Sequence, residues 1–264
     1  MPAIELRNVT AGYYPGRPVL SDLSLSLAAG TFCGVIGPNG SGKTTLLRVA
    51  SGALQPQRGE ALVDGRPLAA WARRQLARTL AVVPQLTVPP FAFTVREYVA
   101  LGRTPYVAPW ARLTTADVEA INAALDATGL QPLASRPVTE LSGGELQQAS
   151  VARALAQEPR ILLLDEPTSF LDPAHCVQLL GLLARLNREG LTILATFHDL
   201  NLAASYCREI LAIKAGRVFS GGPTEEVFRK ELLEALFDTP LLVESGPQGR
   251  PRVTLLRTDV DNVV

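Results

Sequence analysis

Cysteine is scarce: Cys33, Cys176 and Cys207 stand far apart in 264 residues, with no CxxC spacing. An odd number so placed suits reduced thiols in a cytosolic protein better than a disulfide framework or a cysteine zinc site. Excess charge of one sign is also missing, since 25 Lys+Arg face 25 Asp+Glu. A neutral chain has no long-range field to gather a polyanion, so non-specific nucleic-acid binding is disfavoured. Long apolar runs are absent as well. The longest uncharged stretches, 23–42 and 79–95, are broken by Pro38 and five glycines, and by Pro84, Pro89 and Pro90. Neither reads as a membrane-spanning helix. Glu5 and Arg7 interrupt the first ten residues, so no secretory signal is expected. Any membrane role must come through a partner.

What is present suffices for a buried core. Apolar residues make up 47% and charged residues 19%, enough for a buried core in one large domain or two ordinary ones. The first part alternates short strand-like runs with helical ones, the texture of an α/β fold. Residues 4–9 and 23–27 alternate with period two, as half-buried antiparallel strands do. Residues 31–36 form a short apolar strand that runs into a glycine-rich loop, and 43–50 read as a helix stopped by Gly52. Residues 60–63 before Asp64-Gly65 predict a hairpin, and 80–83 a strand ended by Pro84. From about residue 86 to 141 helical patterns take over, at 95–101 and 116–128 with Gly129 as C-cap, an inserted helical subdomain. Strands return at 160–164 and 191–196, separated by a helix over 173–187. Residues 209–213 and 217–219 close a hairpin around Ala215-Gly216, a last helix covers 224–237, and a Gly/Pro-rich tail starts at Gly246.

Three motifs carry the chemistry. Gly37, Pro38, Asn39, Gly40, Ser41, Gly42, Lys43, Thr44 and Thr45 follow a predicted strand and open a predicted helix. Glycines let successive N–H groups turn inward on phosphate oxygens, and the helix N-terminus adds its dipole. Lys43 can reach the outer phosphates, and the Thr44 hydroxyl can ligate Mg²⁺. The second motif is the run 161–164 delivering Asp165 and Glu166 to the C-terminal end of a strand, where open α/β sheets place ligands. Asp165 would serve Mg²⁺ directly or through its water, and Glu166 is free to deprotonate an attacking water. The third is Leu141, Ser142, Gly143, Gly144 and Glu145. Ser142 and Glu145 make a capping box. Two glycines in a first helical turn each cost about 1 kcal/mol of propensity, so something must approach that turn closely. This chain therefore presents two phosphate-facing helix starts.

In order and spacing these motifs resemble those of the ATP-binding cassette (ABC) ATPases, over almost the whole chain. The resemblance implies a P-loop NTPase core, a RecA-like mixed sheet with an antiparallel β subdomain, over 1–86 and 157–240. It implies a helical subdomain carrying the signature at 87–156 and a tail with short strands at 241–264. Residue by residue, Tyr14 resembles the aromatic that stacks on adenine, with Tyr13 the alternative. Gln85 resembles the glutamine that contacts Mg²⁺ and water and senses the transmembrane partner. His198 resembles the switch histidine at the γ-phosphate, and Asp172 the D-loop residue that links two active sites. Phe170 stands where the family often has Ala, and Glu145 where it often has Gln. The other histidine, His175, reads as a solvated residue in a helix opening.

The resemblance further implies a head-to-tail dimer of this chain, with ATP clamped between Lys43 of one copy and Ser142 and Gly144 of the other. It implies a permease at the cytoplasmic face of the membrane, a substrate-binding protein engaged indirectly, and no nucleic acid. Phe91, Phe93 and Tyr98 fall where the family docks its permease, although aromatics there also suit a subdomain core. Residues 94–103, 197–203 and 249–253 resemble importers of iron–siderophore complexes, haem and cobalamin, with iron chelates favoured and molybdate-type importers the alternative. DNA-repair and translation relatives are disfavoured. Residues 44–140 hold no heptads and no CxxC, and one cassette stands in the chain.

Overall fold

The structure, a computed structural model, describes residues 1–85, 91–108, 110–169 and 171–256. Its first sheet follows from the period-two runs. β1 (Pro2–Ala11) and β2 (Leu20–Ala28) pair antiparallel with Leu6 opposite Leu25, burying Ile4, Leu6 and Val9 on one and Leu20, Leu23 and Leu27 on the other. An irregularity at Asn8 (φ 48°) carries the buried face from Leu6 to Val9. β3 (Phe32–Ile36) leads through the glycine-rich loop into α1 (Lys43–Ala50). β4 (Arg58–Val63) joins the free edge of β1 and turns at Asp64 and Gly65, both at positive φ, into β5 (Arg66–Pro67).

The second sheet is largely parallel. After α2 (Arg73–Thr79) comes β6 (Leu80–Val83), and past the helical region lie β7 (Ile161–Leu164) and β8 (Thr192–Thr196). With β9 (Glu209–Lys214) and β10 (Arg217–Pro223) the strand order is β10-β9-β3-β8-β7-β6, and β10 alone runs antiparallel to its neighbour. β3, β7 and β8 are buried throughout, because alternate residues feed two cores. Cys33, Val35, Leu163 and Leu194 pack toward α1 and the first sheet. Phe32, Ile36, Leu162, Leu164 and Ile193 pack with residues of the helices on the other face. Strands covered on both sides read as continuous apolar runs rather than alternating ones.

Helices α3 (Val95–Ala100), α4 (Thr115–Ala127) and α5 (Gly143–Leu155) enclose a third cluster that includes Val95, Val99, Ile121, Leu125 and Leu146. α6 (Pro173–Arg188) and α7 (Leu200–Tyr206) cover the sheet behind β7 and β8. The helix expected over 224–237 is instead two, α8 (Thr224–Val227) and α9 (Lys230–Phe237). Phe228 leaves helical geometry (ψ 54°) to bury its ring in the core, and Arg229 is extended. The last hairpin strand also runs on to Pro223 rather than ending at Phe219. β11 (Leu241–Ser245) and β12 (Pro251–Leu255) form a ladder with Val243 opposite Val253, pinned to α7 by Asn201, which bonds Val253 N–H and C=O at 2.7 and 3.0 Å. Residues 257–264 of the expected tail lie outside the described residues. Among the described residues no helix is long and apolar enough to cross a membrane. The three cysteines are free and buried, and burial pushes the Cys33 thiol up to about 12.

One buried ion network fastens the helical cluster to the strand that follows it. Arg103, 4% exposed, pairs with Asp117 (2.9 Å) and Glu158 (2.6 Å) and donates to the Ala156 carbonyl (2.8 Å). Asp117 also caps α4, accepting from the Thr114 hydroxyl and N–H. Those bonds, with Arg103 behind them, hold its carboxyl down to about 2. The folded state therefore favours the ionised form, and the gain exists above the unfolded carboxyl range near 4 and disappears as pH falls through 2. Asp117→Asn should cost about 2 kcal/mol at neutral pH. In urea unfolding, the gap between wild type and variant should shrink as pH falls from about 4 toward 2.

Candidate active site

Strand ends set the site. In a parallel sheet the C-terminal edges open onto one crevice, and here β3, β6, β7 and β8 all deliver their motifs there. The loop after β3 curls because Gly37 (φ 151°) and Gly42 (φ 106°) take conformations closed to other residues. A Cβ at Gly37 would lie 2.1 Å from the Ile213 carbonyl oxygen. Lys43 folds back over the loop, its ammonium donating to the carbonyls of Gly37 (2.8 Å) and Pro38 (3.2 Å). Burial pulls that ammonium below its usual range, against the opposing effect of Glu166 and Asp165. The Ser41 hydroxyl is buried without a partner, and the first turn of α1 leaves N–H groups at Lys43, Thr44 and Thr45 unpaired within the described residues. An orphan hydroxyl, free N–H groups and a desolvated ammonium in one cradle fit a polyphosphate.

The acidic pair sits opposite. Asp165 Oδ1 accepts from the Thr44 hydroxyl (3.2 Å) and the Thr196 hydroxyl (2.9 Å). Glu166 follows with φ 50°, a left-handed conformation that costs a non-glycine residue of order 1 kcal/mol or more. Its N–H is held by Thr196 Oγ1 at 2.8 Å. Its carboxylate accepts from Gln85 Nε2 (2.9 Å) and the Ser169 hydroxyl (3.2 Å) and meets His198 Nε2. The structure thus brings Lys43, Thr44, Asp165, Glu166, Gln85 and His198 to one place. Thr196 and Ser169 were not anticipated. A fully buried threonine at a strand end, two residues before His198, is the signal that could have flagged the first. The Thr44 hydroxyl, Asp165 carboxylate and Gln85 amide are a hard oxygen donor set of the kind Mg²⁺ takes alongside waters.

Other expected residues stand apart. Tyr14 is 70% exposed, with its carbonyl bonded by Gln57. Tyr13 is engaged: its hydroxyl meets Thr45 Oγ1 (3.3 Å) and Arg48 (3.1 Å), and the Arg48 guanidinium lies over its ring. Leu141 and Ser142–Glu145 make no hydrogen bond or ion pair to residues 37–45 or 165–166 among the described residues. Ser142 caps α5 reciprocally with Glu145, and the Ser142 N–H and hydroxyl hold the Glu145 carboxyl below its usual range. That reciprocal bond is the local reason a carboxylate suits position 145. A Cβ on Gly144 would meet only ordinary contacts, Leu171 at 3.5 Å and His175 at 3.6 Å. Asp172 caps α6 and pairs with His175 Nδ1 at 2.7 Å, so His175 is half-buried and partnered rather than simply solvated. Phe170 lies outside the described residues.

Known proteins resemble the chain over most of its length. The ABC transporter family matches residues 20–169. The hemin import ATP-binding protein HmuV of Pseudomonas fluorescens is 42% identical over 90% of this chain and 94% of its own. The ferric enterobactin transport ATP-binding protein FepC of Escherichia coli is 39% identical over 94% and 92%. The chain also matches the ABC transporter ATP-binding protein YvrA of Bacillus subtilis at 41% identity over 93% of its length, spanning 56% of YvrA. Among solved structures, an inward-facing ABC transporter described as of metal-chelate type superposes with a TM-score of 0.84 at 30% identity, covering 97% of this chain and 98% of that one. The dimeric cassette MJ0796 bound to ADP and Pi gives 0.74 at 28% identity, over 84% and 98%. The chain therefore belongs to the ABC transporter family, with its P-loop NTPase fold and its ATPase activity.

Proposed function

We propose that the chain is the ATP-hydrolysing subunit of an importer for ferric chelates of the siderophore class. It acts from the cytoplasmic face of the membrane through a permease, and the binding protein engages it only indirectly. The names of the iron and haem relatives support that cargo class. HmuV, at 42% identity, favours haem as the second reading. The observation that carries the mechanism is Glu166, held in left-handed geometry with its carboxylate gripped by Gln85, Ser169 and His198.

In this reading residues 87–156 are a subdomain that presents the signature to a second copy of the chain. ATP lies on residues 37–45, with Lys43 withdrawing from its own loop carbonyls to bind the outer phosphates. Thr44 and Asp165 hold Mg²⁺, with Gln85 beside them, and the ion supplies charge neutralisation when bound. Glu166 takes the proton from water attacking the γ-phosphorus in line, and His198 is placed to contact the γ-phosphate. Ser142 and Gly144 of the opposite copy close the site. Tyr14, its ring exposed, stacks on adenine, and Asp172 lies at the seam between the copies. Closure on binding and opening on hydrolysis drive the permease.

Phe91 and Phe93 offer the permease a surface. Phe91 is 65% exposed and packs edge-on to Phe93 at 5.8 Å, while Phe93 leans on the helical cluster. Residues 86–90, including Pro89 and Pro90 of the same stretch, lie outside the described residues.

Three measurements test these assignments. Glu166→Gln should lower Mg²⁺-dependent ATP turnover about 100-fold or more while ATP-bound dimers accumulate in size-exclusion chromatography. Near-wild-type turnover would remove Glu166 as the base. Phe91→Ala should weaken co-purification with the permease without lowering the melting temperature, and unchanged co-purification of both Phe91→Ala and Phe93→Ala rejects that surface. Deleting the gene should abolish uptake of a ferric siderophore but spare haem. The reverse result selects the second reading.

A further inference from the structure

Two stretches set apart in the sequence, 197–203 and 249–253, meet in the structure, and the chemistry above uses only His198 of them. Their contact is Asn201, the second residue of α7. Its Oδ1 accepts the Val253 N–H at 2.7 Å and its Nδ2 donates to the Val253 carbonyl at 3.0 Å. One side chain thus closes both backbone groups of a residue in β12. A carboxamide sets a donor beside an acceptor, the pair that a further strand would present to that edge. Val253 is itself buried in the core behind the parallel sheet. Arg250 pairs with Glu225 of α8 (3.0 Å), and the Leu241 N–H donates to Glu234 of α9 (3.1 Å), so the β11–β12 hairpin is fastened at three points.

His198 lies between two anchors. Before it, Phe197 is buried and its N–H donates to the Val35 carbonyl at 3.0 Å, which fixes the end of β8. After it, Asp199 caps α7 by accepting the N–H groups of Asn201 and Leu202 at 2.8 and 3.0 Å. That cap holds the turn only to itself. Behind the turn Ala203 and Ala204 bury only methyl groups, and Leu200 and Leu202 are partly buried. The directional bond to Val253 is therefore what sets where the turn lies. We infer that Asn201 is a positioning residue for His198, with the C-terminal hairpin as its brace. The role rests on the reading of His198 as the γ-phosphate contact. Without the bond, the first turn of α7 shifts against β8 and the imidazole leaves Glu166, which its Nε2 now meets. ATP binding is spared, because no hydrogen bond joins residues 199–206 to 37–45 among the described residues.

The test is single-turnover hydrolysis of Mg²⁺-ATP by excess full-length protein, so that slow variants remain measurable. Wild type, Asn201→Ala, His198→Ala and the double variant are compared, with ATP affinity and melting curves alongside. Asn201→Ala should slow hydrolysis about ten-fold and keep ATP affinity within about two-fold. Asn201 is exposed, so this variant should keep its fold. In the His198→Ala background the same substitution should change the rate by less than about two-fold, since residues that act through one another are not additive. An unchanged rate in Asn201→Ala, a loss that falls on ATP affinity instead, or an equal fold-loss in both backgrounds overturns the brace. If Asn201→Ala does not fold, Asn201→Asp enters the same cycle, keeping the acceptor for the Val253 N–H and losing the donor to its carbonyl. Wild-type hydrolysis by His198→Ala sinks the reading of His198, and the brace with it. An equal loss in both backgrounds rejects the brace alone.

Discussion

One buried hydroxyl holds the acidic end of the site together. Thr196 donates to Asp165 at 2.9 Å and accepts the Glu166 N–H at 2.8 Å, so a residue on β8 sets both acidic residues at the end of β7. That bond offsets the strain of a left-handed glutamate, which no local interaction after a strand would otherwise favour. With it in place, the Glu166 carboxylate faces Gln85 and His198, delivered by the ends of β6 and β8. Removing the hydroxyl would leave a buried carboxylate short of a donor and a strained backbone short of an anchor, both costly in a low-dielectric interior.

The same register depends on the sheet being covered twice. β3, β7 and β8 send alternate side chains to two separate cores, so a one-residue slip would exchange the two sets. Phe32 and Ile36 on one face and Cys33 and Val35 on the other differ enough in volume that the exchange would overpack one core and hollow the other. Packing far from the crevice thus decides whether Thr44 and Asp165 meet. The hairpin turn contributes too, because the N–H of the buried Gly216 donates to the Ser41 carbonyl of the phosphate loop at 3.0 Å.

Much of this could be read from residue order. Helix α1 begins and ends at the expected residues, and the Asp64-Gly65 turn carries the positive φ its residue types imply. Strands buried on both faces announced themselves as apolar runs. Other parts had no such signal. α2, Arg-Arg-Gln-Leu-Ala-Arg-Thr, buries only Thr79 and so lacks an apolar period, although Asp199 does mark the start of α7 as an N-cap. The break between α8 and α9 follows from where the Phe228 ring finds room, a tertiary fact. Likewise, the engagement of the Tyr13 ring by Arg48 of α1, beside an exposed Tyr14, is a tertiary contact with no local signal.

The starts of α1 and α5 differ in a way that bears on the proposed pairing. The start of α1 is crowded from within: Gly37 and Gly42 are required by Ile213 and Leu20, whose atoms lie under 3 Å from any added Cβ. The start of α5 is not, since a Cβ at Gly144 meets only ordinary contacts. A glycine that its own chain does not require, at a position where it costs about 1 kcal/mol of helix propensity, is explained by an approach from outside that chain. Capping at Ser142 and Glu145 already satisfies the turn locally, and the contacts around Gly144 leave room for a side chain there. In the proposed dimer, the opposing copy's nucleotide is what would approach that turn.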